Sequence, residues 1–216
     1  MRTSLVMEPA DQVAAGLAAL AAADLLSLDD QTLREQVLEL VTAANQVHAE
    51  LARRIDAFDR RGLAEPDGFR STKTWLQAFA RLSGPAGQRM VAAARLLRSL
   101  PKLAAVAQTG EASAEQIQQA ARLAGQVGVH RVSEVDATLA DAARTLDPGR
   151  FGQVCARVQA HLDPDGDDPA QAFDRRSLTI TPVHGMLLLR GQLDPEGGAA
   201  VATALDALMT PPAAGD

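Results

Sequence analysis

Between Gly68 and Lys102 the chain carries Arg70, Lys73, Arg81, Arg89, Arg95, Arg98 and Lys102 and not one Asp or Glu. Cationic side chains at this density neutralise phosphates, while Gln and Arg on a helix can also pair with adenine and guanine edges. The whole chain has 216 residues and a formal net charge of −6, with 21 Lys and Arg against 27 Asp and Glu. Seven of those cations are therefore gathered in a stretch from which every acid is excluded. A one-signed segment repels itself, so the sorting favours a polyanionic partner, with DNA as the leading candidate.

Other chemistry is harder to assemble. His48, His130, His161 and His184 are far apart in sequence, and none sits in a cluster of ligands of the kind a metal site needs. Cys155 is the only cysteine, so an internal disulfide and a Cys-x-x-Cys zinc knuckle are both excluded, and a reducing, cytoplasmic setting fits. It reads as core packing rather than as a nucleophile. Asp163, Asp165, Asp167 and Asp174 have the one-three-five-twelve spacing of a calcium loop, but Asp168 stands where the sharp turn needs glycine. An Asp/Pro linker is the better reading. No phosphate-binding glycine loop or nucleophile elbow occurs. No catalytic residue, metal site or cofactor is assigned, and whether the chain belongs to an enzyme stays open.

The elements that must position the basic segment follow from hydrophobic period. Leu33, Val37, Leu40, Ala44, Val47, Leu51, Ile55 and Phe58 recur every three or four residues, which predicts one long helix from Asp29 to Gly62, with a capping box at Ser27 and Asp30. Such a helix needs a partner along its length, either the alanine-rich helix before it or a second copy of the chain. Short helices are predicted over 71–82, 85–100 and 101–108. The first two, joined through Ser83-Gly84-Pro85, have a helix-turn-helix layout with Gly84 as the turn glycine. On the second helix Met90, Ala93, Ala94, Leu97 and Leu100 form an apolar face, opposite Gln88, Arg95 and Ser99. Gln88 and Arg95 are thus candidate base readers; Arg70, Lys73, Arg81, Arg89, Arg98 and Lys102 are candidate phosphate contacts. A helical hairpin with a merely solvated basic face would show the same pattern.

Ser113 and Gln116 mark another helix start by a capping box, and single helices are predicted over 130–146 and 148–162. The period then changes to that of strands at 177–183 and 186–191, joined by His184-Gly185, with Pro182 placing its strand at an edge. Asp194 and Pro195 open a last helix. The apolar run Val13–Leu26 contains Asp24 and is too short to span a bilayer, so no membrane partner is expected. The predicted organisation is N-terminal helices over 1–62, a basic helix-turn-helix-like and helical bundle region over 63–162, an acidic linker over 163–176, a hairpin and final helix over 177–210, and a linker over 211–216 leading to a further portion of the protein. The fold class is mainly α: a multi-helix bundle with a small C-terminal β-hairpin plus helix.

An ordered set of residues carries a resemblance. Gly68-Phe69-Arg70-Ser71 with Trp75-Leu76, Ala94-Arg95-Leu96-Leu97 leading to Leu100-Pro101, Gly110 with Ser113 and Gln116, Arg176-Ser177-Leu178, Gly185-Met186 and Gly191-Gln192-Leu193-Asp194-Pro195-Glu196-Gly197-Gly198-Ala199 occur in this order. Together they resemble the actinobacterial domain of unknown function 222, also called the thirteen-E-twelve repeat family, over nearly the whole chain. The resemblance implies association with an HNH endonuclease domain, whose metal-binding cluster has no counterpart in these residues. The expected function is therefore a non-catalytic, DNA-engaging N-terminal domain of an HNH-endonuclease-type protein. The alternative is a protein-interaction or oligomerisation scaffold, a homodimer through the long helix, with no direct nucleic-acid contact.

Overall fold

The computed structural model describes residues 8–163, 176–183 and 185–208. These form ten α-helices and one two-stranded antiparallel sheet, divided between two compact units, Met1–Cys155 and Ala156–Asp216. The mainly helical class with a C-terminal hairpin and following helix is thus the observed one. The calcium-loop candidate beyond Asp163, the rest of the acidic linker, His184 and the terminal linker over 211–216 lie outside the described residues.

Helix α1 (Pro9–Ala21) begins with proline in its first turn, where a missing N–H costs nothing. Helix α2 (Asp30–Arg60) is the long predicted helix, but its cap is Asp29, whose carboxylate accepts from the Gln31 and Thr32 N–H groups at 2.9 Å each. Ser27 cannot play that part. It closes a 3-10 turn, Leu25–Ser27, with its hydroxyl donating to the Asp24 carbonyl. At the other end Gly62 adopts φ +62°, and the Leu63 and Gly62 N–H groups return to the carbonyls of Phe58 and Asp59, a Schellman stop that glycine makes cheap.

The two halves of α2 have different surroundings. The C-terminal half buries Ala49, Ala52 and Ile55, chiefly against α4 (Gly84–Ser99), which contributes Val91, Ala94 and Leu97. In the N-terminal half Leu33, Val37, Leu38, Leu40 and Val41 are exposed, as are Val13, Leu17 and Leu20 on α1. Among the described residues no element of the first unit covers that apolar surface along its length.

Beyond α4 follow α5 (Pro101–Gln108), α6 (Ala114–Val127), α7 (Val129–Glu134), α8 (Asp136–Thr145) and α9 (Pro148–Leu162). Leu100, Leu103, Leu123, Val132, Leu139 and Phe151 are fully buried, so the centre of this unit lies around α4 to α8. Alanines at Ala94, Ala107, Ala120, Ala140 and Ala143 fill the remaining buried positions and allow close helix approach.

Three polar devices fix the helices in register. The buried Asp136 carboxylate accepts from the Lys102 and Leu103 N–H groups at 2.8 and 3.0 Å, capping α5 from a distant helix. This explains why the helix predicted over 130–146 is broken at Val135: α8 restarts with Asp136 in its first turn. The Gln116 side chain completes the expected capping box with Ser113, and its amide also donates to the Ala143 and Leu146 carbonyls at the end of α8. Gly110, at φ +82°, lies so close to α2 that a Cβ would come within 2.6 Å of the Thr42 carbonyl oxygen. Asn45 and Gln46 donate to the Gly110 and Thr109 carbonyls beside it.

In the second unit β1 (Ser177–Val183) pairs with β2 (Met186–Gln192) from Ser177↔Gln192 to Val183↔Met186, the hairpin expected from the sequence. Either strand of a two-stranded sheet is an edge, so Pro182 is tolerated. Gly185 supplies the positive φ of the connection. Helix α10 (Pro195–Leu208) follows, and Asp194 at its start lies 3.7 Å from Arg176.

Candidate nucleic-acid interface

The basic segment folds as α3 (Thr72–Phe79), a turn, and the first part of α4. Ser71 Oγ accepts from the Thr74 N–H and Ser83 Oγ from the Ala86 N–H, so both helices open on serine caps. Short helix, turn and second helix is the predicted layout, but the turn is made differently. Gly84 is the first residue of α4, and the left-handed residue is Arg81, at φ +53°. Small residues at 84 and 87 serve a different purpose, most strictly at 87, where the neighbour is backbone. A Cβ on Gly84 would lie 3.1 Å from Gln77 Nε2, and one on Gly87 would lie 3.3 Å from the Lys73 carbonyl oxygen. These two positions let α4 cross tightly over α3, so the small residues at the start of α4 belong to the helix crossing.

The predicted contact residues separate into two groups. Arg95 and Arg98 are engaged within the fold: Arg95 Nε and Nη2 both lie 2.9 Å from Asp59 Oδ2, and Arg98 Nη1 lies 2.8 Å from Asp56 Oδ1. Arg60 closes on the other oxygen of Asp56 at 2.9 Å, and the Thr72 hydroxyl donates to Asp59 Oδ1 at 2.7 Å. Partial burial opposes ionisation of Asp59, but the Thr72 hydroxyl and the Arg95 guanidinium outweigh it and hold its carboxyl below the usual carboxylate range. The apposed acids come from α2, outside the acid-free segment, which is why a linear charge count could not find them.

Arg70, Arg81, Gln88, Arg89 and Lys102 are exposed, and Lys73 is half-buried with its stem against Gly84 and Gly87. Among the described residues none of the five cations in this group makes an ion pair. Arg70 precedes α3, Lys73 lies on it, Arg81 is in the turn, and Gln88 and Arg89 are on the second turn of α4. Lys102 is set apart at the start of α5, where its backbone N–H is taken by Asp136.

The sequence reading passed over a row of aromatic rings in the same segment. Phe58 and Trp75 have centroids 4.5 Å apart, Trp75 and Phe79 5.0 Å, and Phe79 and Phe69 5.6 Å. Trp75 is oriented by its indole N–H, which donates to Asp67 Oδ2 at 2.7 Å. Phe79, at the C-terminal end of α3, remains 61% exposed. The available signal was the i, i+4 spacing of Trp75 and Phe79 within a cationic stretch of a chain otherwise poor in aromatics.

Nothing comparable surrounds the three described histidines. The His48 Nδ1–H donates to the Ala44 carbonyl, His130 lies 3.6 Å from Glu134, and His161 is exposed on α9. Among the described residues no three His, Cys, Asp or Glu side chains are grouped as a metal site would require. Burial pushes the Cys155 thiol up to about 11, so it is protonated and unreactive at neutral pH. No helix among the described residues is long and apolar enough to cross a membrane.

The family model for a domain of unknown function, DUF222, matches residues 32–216. No curated protein and no solved structure matches the chain.

Proposed function

The chain belongs to the DUF222 family, and we propose that it is a non-catalytic, DNA-engaging domain that works alongside an HNH-type endonuclease module. The observation that carries this reading is the set of cations around α3 and the start of α4, Arg70, Lys73, Arg81 and Arg89, which have no carboxylate partner among the described residues. They can neutralise phosphates without breaking a contact of the fold, and Gln88 beside them can reach a base edge. Arg95 and Arg98 serve the fold in this reading. Affinity comes mainly from backbone charge, so it should fall steeply with salt.

The test is a fluorescence-anisotropy titration of duplex DNA at several salt concentrations with the parent and with Arg81→Glu/Arg89→Glu. Both positions are exposed, so the variant should keep its melting temperature. The slope of log affinity against log salt should become shallower by about two. Failure of the parent to bind at low salt sinks the reading.

A second reading, an oligomerisation scaffold, has its own support. From Leu33 to Leu51 the stripe on α2 steps four, three, four, three, four residues, the repeat of a coiled-coil seam, and Leu33, Val37, Leu40 and Val47 are 40%, 52%, 43% and 50% exposed. A matching seam on a second copy of the chain would cover it.

A further inference from the structure

We infer that Phe79, backed by Trp75 and Phe69, is a stacking platform for unpaired nucleobases. The inference rests on the nucleic-acid reading and narrows its ligand class to single-stranded or locally opened strands. Phe69, Trp75 and Phe79 all fall inside the acid-free cationic segment, and their rings form a continuous row in which the exposed Phe79 lies between Trp75 and Phe69. An aromatic ring left in water beside cations is the arrangement by which proteins hold single strands: each base offers a π face, and the cations follow the phosphates between successive bases. Arg70 follows Phe69 directly, and Arg81 comes two residues after Phe79 in the left-handed turn, so a cation adjoins each of these two rings along the chain.

The row is also pre-organised. The indole N–H bond to Asp67 fixes the plane of Trp75, and Phe58 on α2 packs behind it at 4.5 Å. Phe79 therefore presents its ring on a rigid backing, which reduces the ordering cost when a base stacks. Asp67 has its Oδ2 engaged by that indole; Glu65 is the other carboxylate near Phe69 and Arg70, and it disfavours phosphate on that side. The strand backbone is accordingly expected to run past Arg81, over the end of α3. Duplex DNA keeps its bases stacked on each other and has no face to offer Phe79, so single strands should gain where duplexes do not.

Trp75 is the only tryptophan in the chain, which makes its fluorescence a direct reporter of the row. The experiment titrates the full chain with a single-stranded thymidylate oligomer, the uridylate oligomer of equal length and a duplex of the same length. Anisotropy is followed for the parent, Phe79→Leu and Phe79→Trp, and Trp75 emission for the parent and Phe79→Leu, where Trp75 is the one tryptophan. The expected result is that the parent binds single strands more tightly than duplex with a change in Trp75 emission. Phe79→Leu should lose roughly tenfold in single-strand affinity at unchanged melting temperature, and Phe79→Trp should retain it. The thymidylate and uridylate arms then tell DNA from RNA as the source of the bases. Equal single-strand affinity for the parent and Phe79→Leu, with duplex binding intact, overturns the platform and leaves the proposed DNA role standing. A shift in sedimentation on Phe79→Leu without loss of single-strand affinity also overturns it, and makes Phe79 a protein-docking residue.

Discussion

Arg95 on α4 and Asp59 on α2 are joined through two guanidinium nitrogens, each 2.9 Å from one carboxylate oxygen, and one turn further along α4 Arg98 repeats the connection to Asp56. Two helices that bury alanines and single aliphatic side chains against each other are thereby locked in register by charge. The two arginines at the centre of the basic segment are thus paired within the fold, as a clamp, while their side chains stay 56% and 44% exposed.

Replacing both Arg95 and Arg98 with Glu should therefore act on stability first. Four carboxylates would face one another across α2 and α4, and Asp56, only 7% exposed, would keep Arg60 alone as its cationic partner. We expect single Ala changes to cost about 1 kcal/mol each, as partly exposed pairs do, and the double Glu change to cost clearly more than their sum. Thermal melts with the reciprocal variant Asp59→Arg/Arg95→Asp provide the check: partial recovery supports the clamp, and a fully stable double Glu variant refutes it. Acid gives a second readout. Because the folded carboxyl of Asp59 is held low, its contribution is complete above the usual carboxylate range and fades as pH falls through its depressed value. The stability difference between parent and Asp59→Asn should accordingly shrink as acid is added.

Asp136 offers a test of register from another direction. Its two oxygens satisfy both the Lys102 and the Leu103 N–H groups in a site that is 6% exposed. Asp136→Ala leaves those donors without an acceptor, and we expect a loss of about 1–3 kcal/mol, with Asp136→Asn recovering part of it through its remaining carbonyl. Denaturant midpoints at unchanged m-value would show it. A loss below about 0.5 kcal/mol would mean that water reaches the start of α5.

Much of this architecture was legible because its punctuation is local. Ser113 with Gln116, Pro101 after Leu100, Gly62 after α2 and the change of period at Ser177 each act within a few residues, and the elements they mark stand close to the predicted bounds. What escaped was set by distant contacts. Nothing near Val135 in sequence announces that Asp136 must cap α5, and nothing in the acid-free segment reveals that α2 brings Asp56 and Asp59 to Arg98 and Arg95. The residues that carried the family resemblance prove largely structural: Gly68 and Gly110 adopt left-handed backbone, Ser71 and Ser113 cap helices, and Leu100 is fully buried. These positions report the fold, whereas Phe69, Arg70 and Trp75 belong both to the resemblance and to the candidate site.

Gly110 is the sharpest of those structural positions. Alanine there meets both a left-handed backbone and the Thr42 carbonyl at 2.6 Å, and neither can yield without moving α2 from the α5–α6 connection. The penalty should exceed the roughly 1 kcal/mol of conformational strain alone. Thermal denaturation checks it, and Thr42→Gly in the same chain, which removes the 2.7 Å contact with the Thr42 methyl but not that with the backbone, should restore only a small part.

The apolar surface of α2 sets the last test. Leu51 is a poor probe, because it adjoins the buried Ala52 and Ile55 and a charge there would disturb the core as well as any interface. Leu40 and Val47 lie on the same stripe with 43% and 50% exposure, so their replacement by Asp tests the exposed surface with less disturbance of the core. If the seam joins two copies, Leu40→Asp/Val47→Asp should sediment as a monomer where the parent sediments as a dimer, with helicity retained. Such a parent should also melt at a temperature that rises with protein concentration, since association adds stability by mass action. A parent that remains monomeric at tens of micromolar would exclude self-pairing along α2. A stable dimer in the double variant would place the contact elsewhere on the chain.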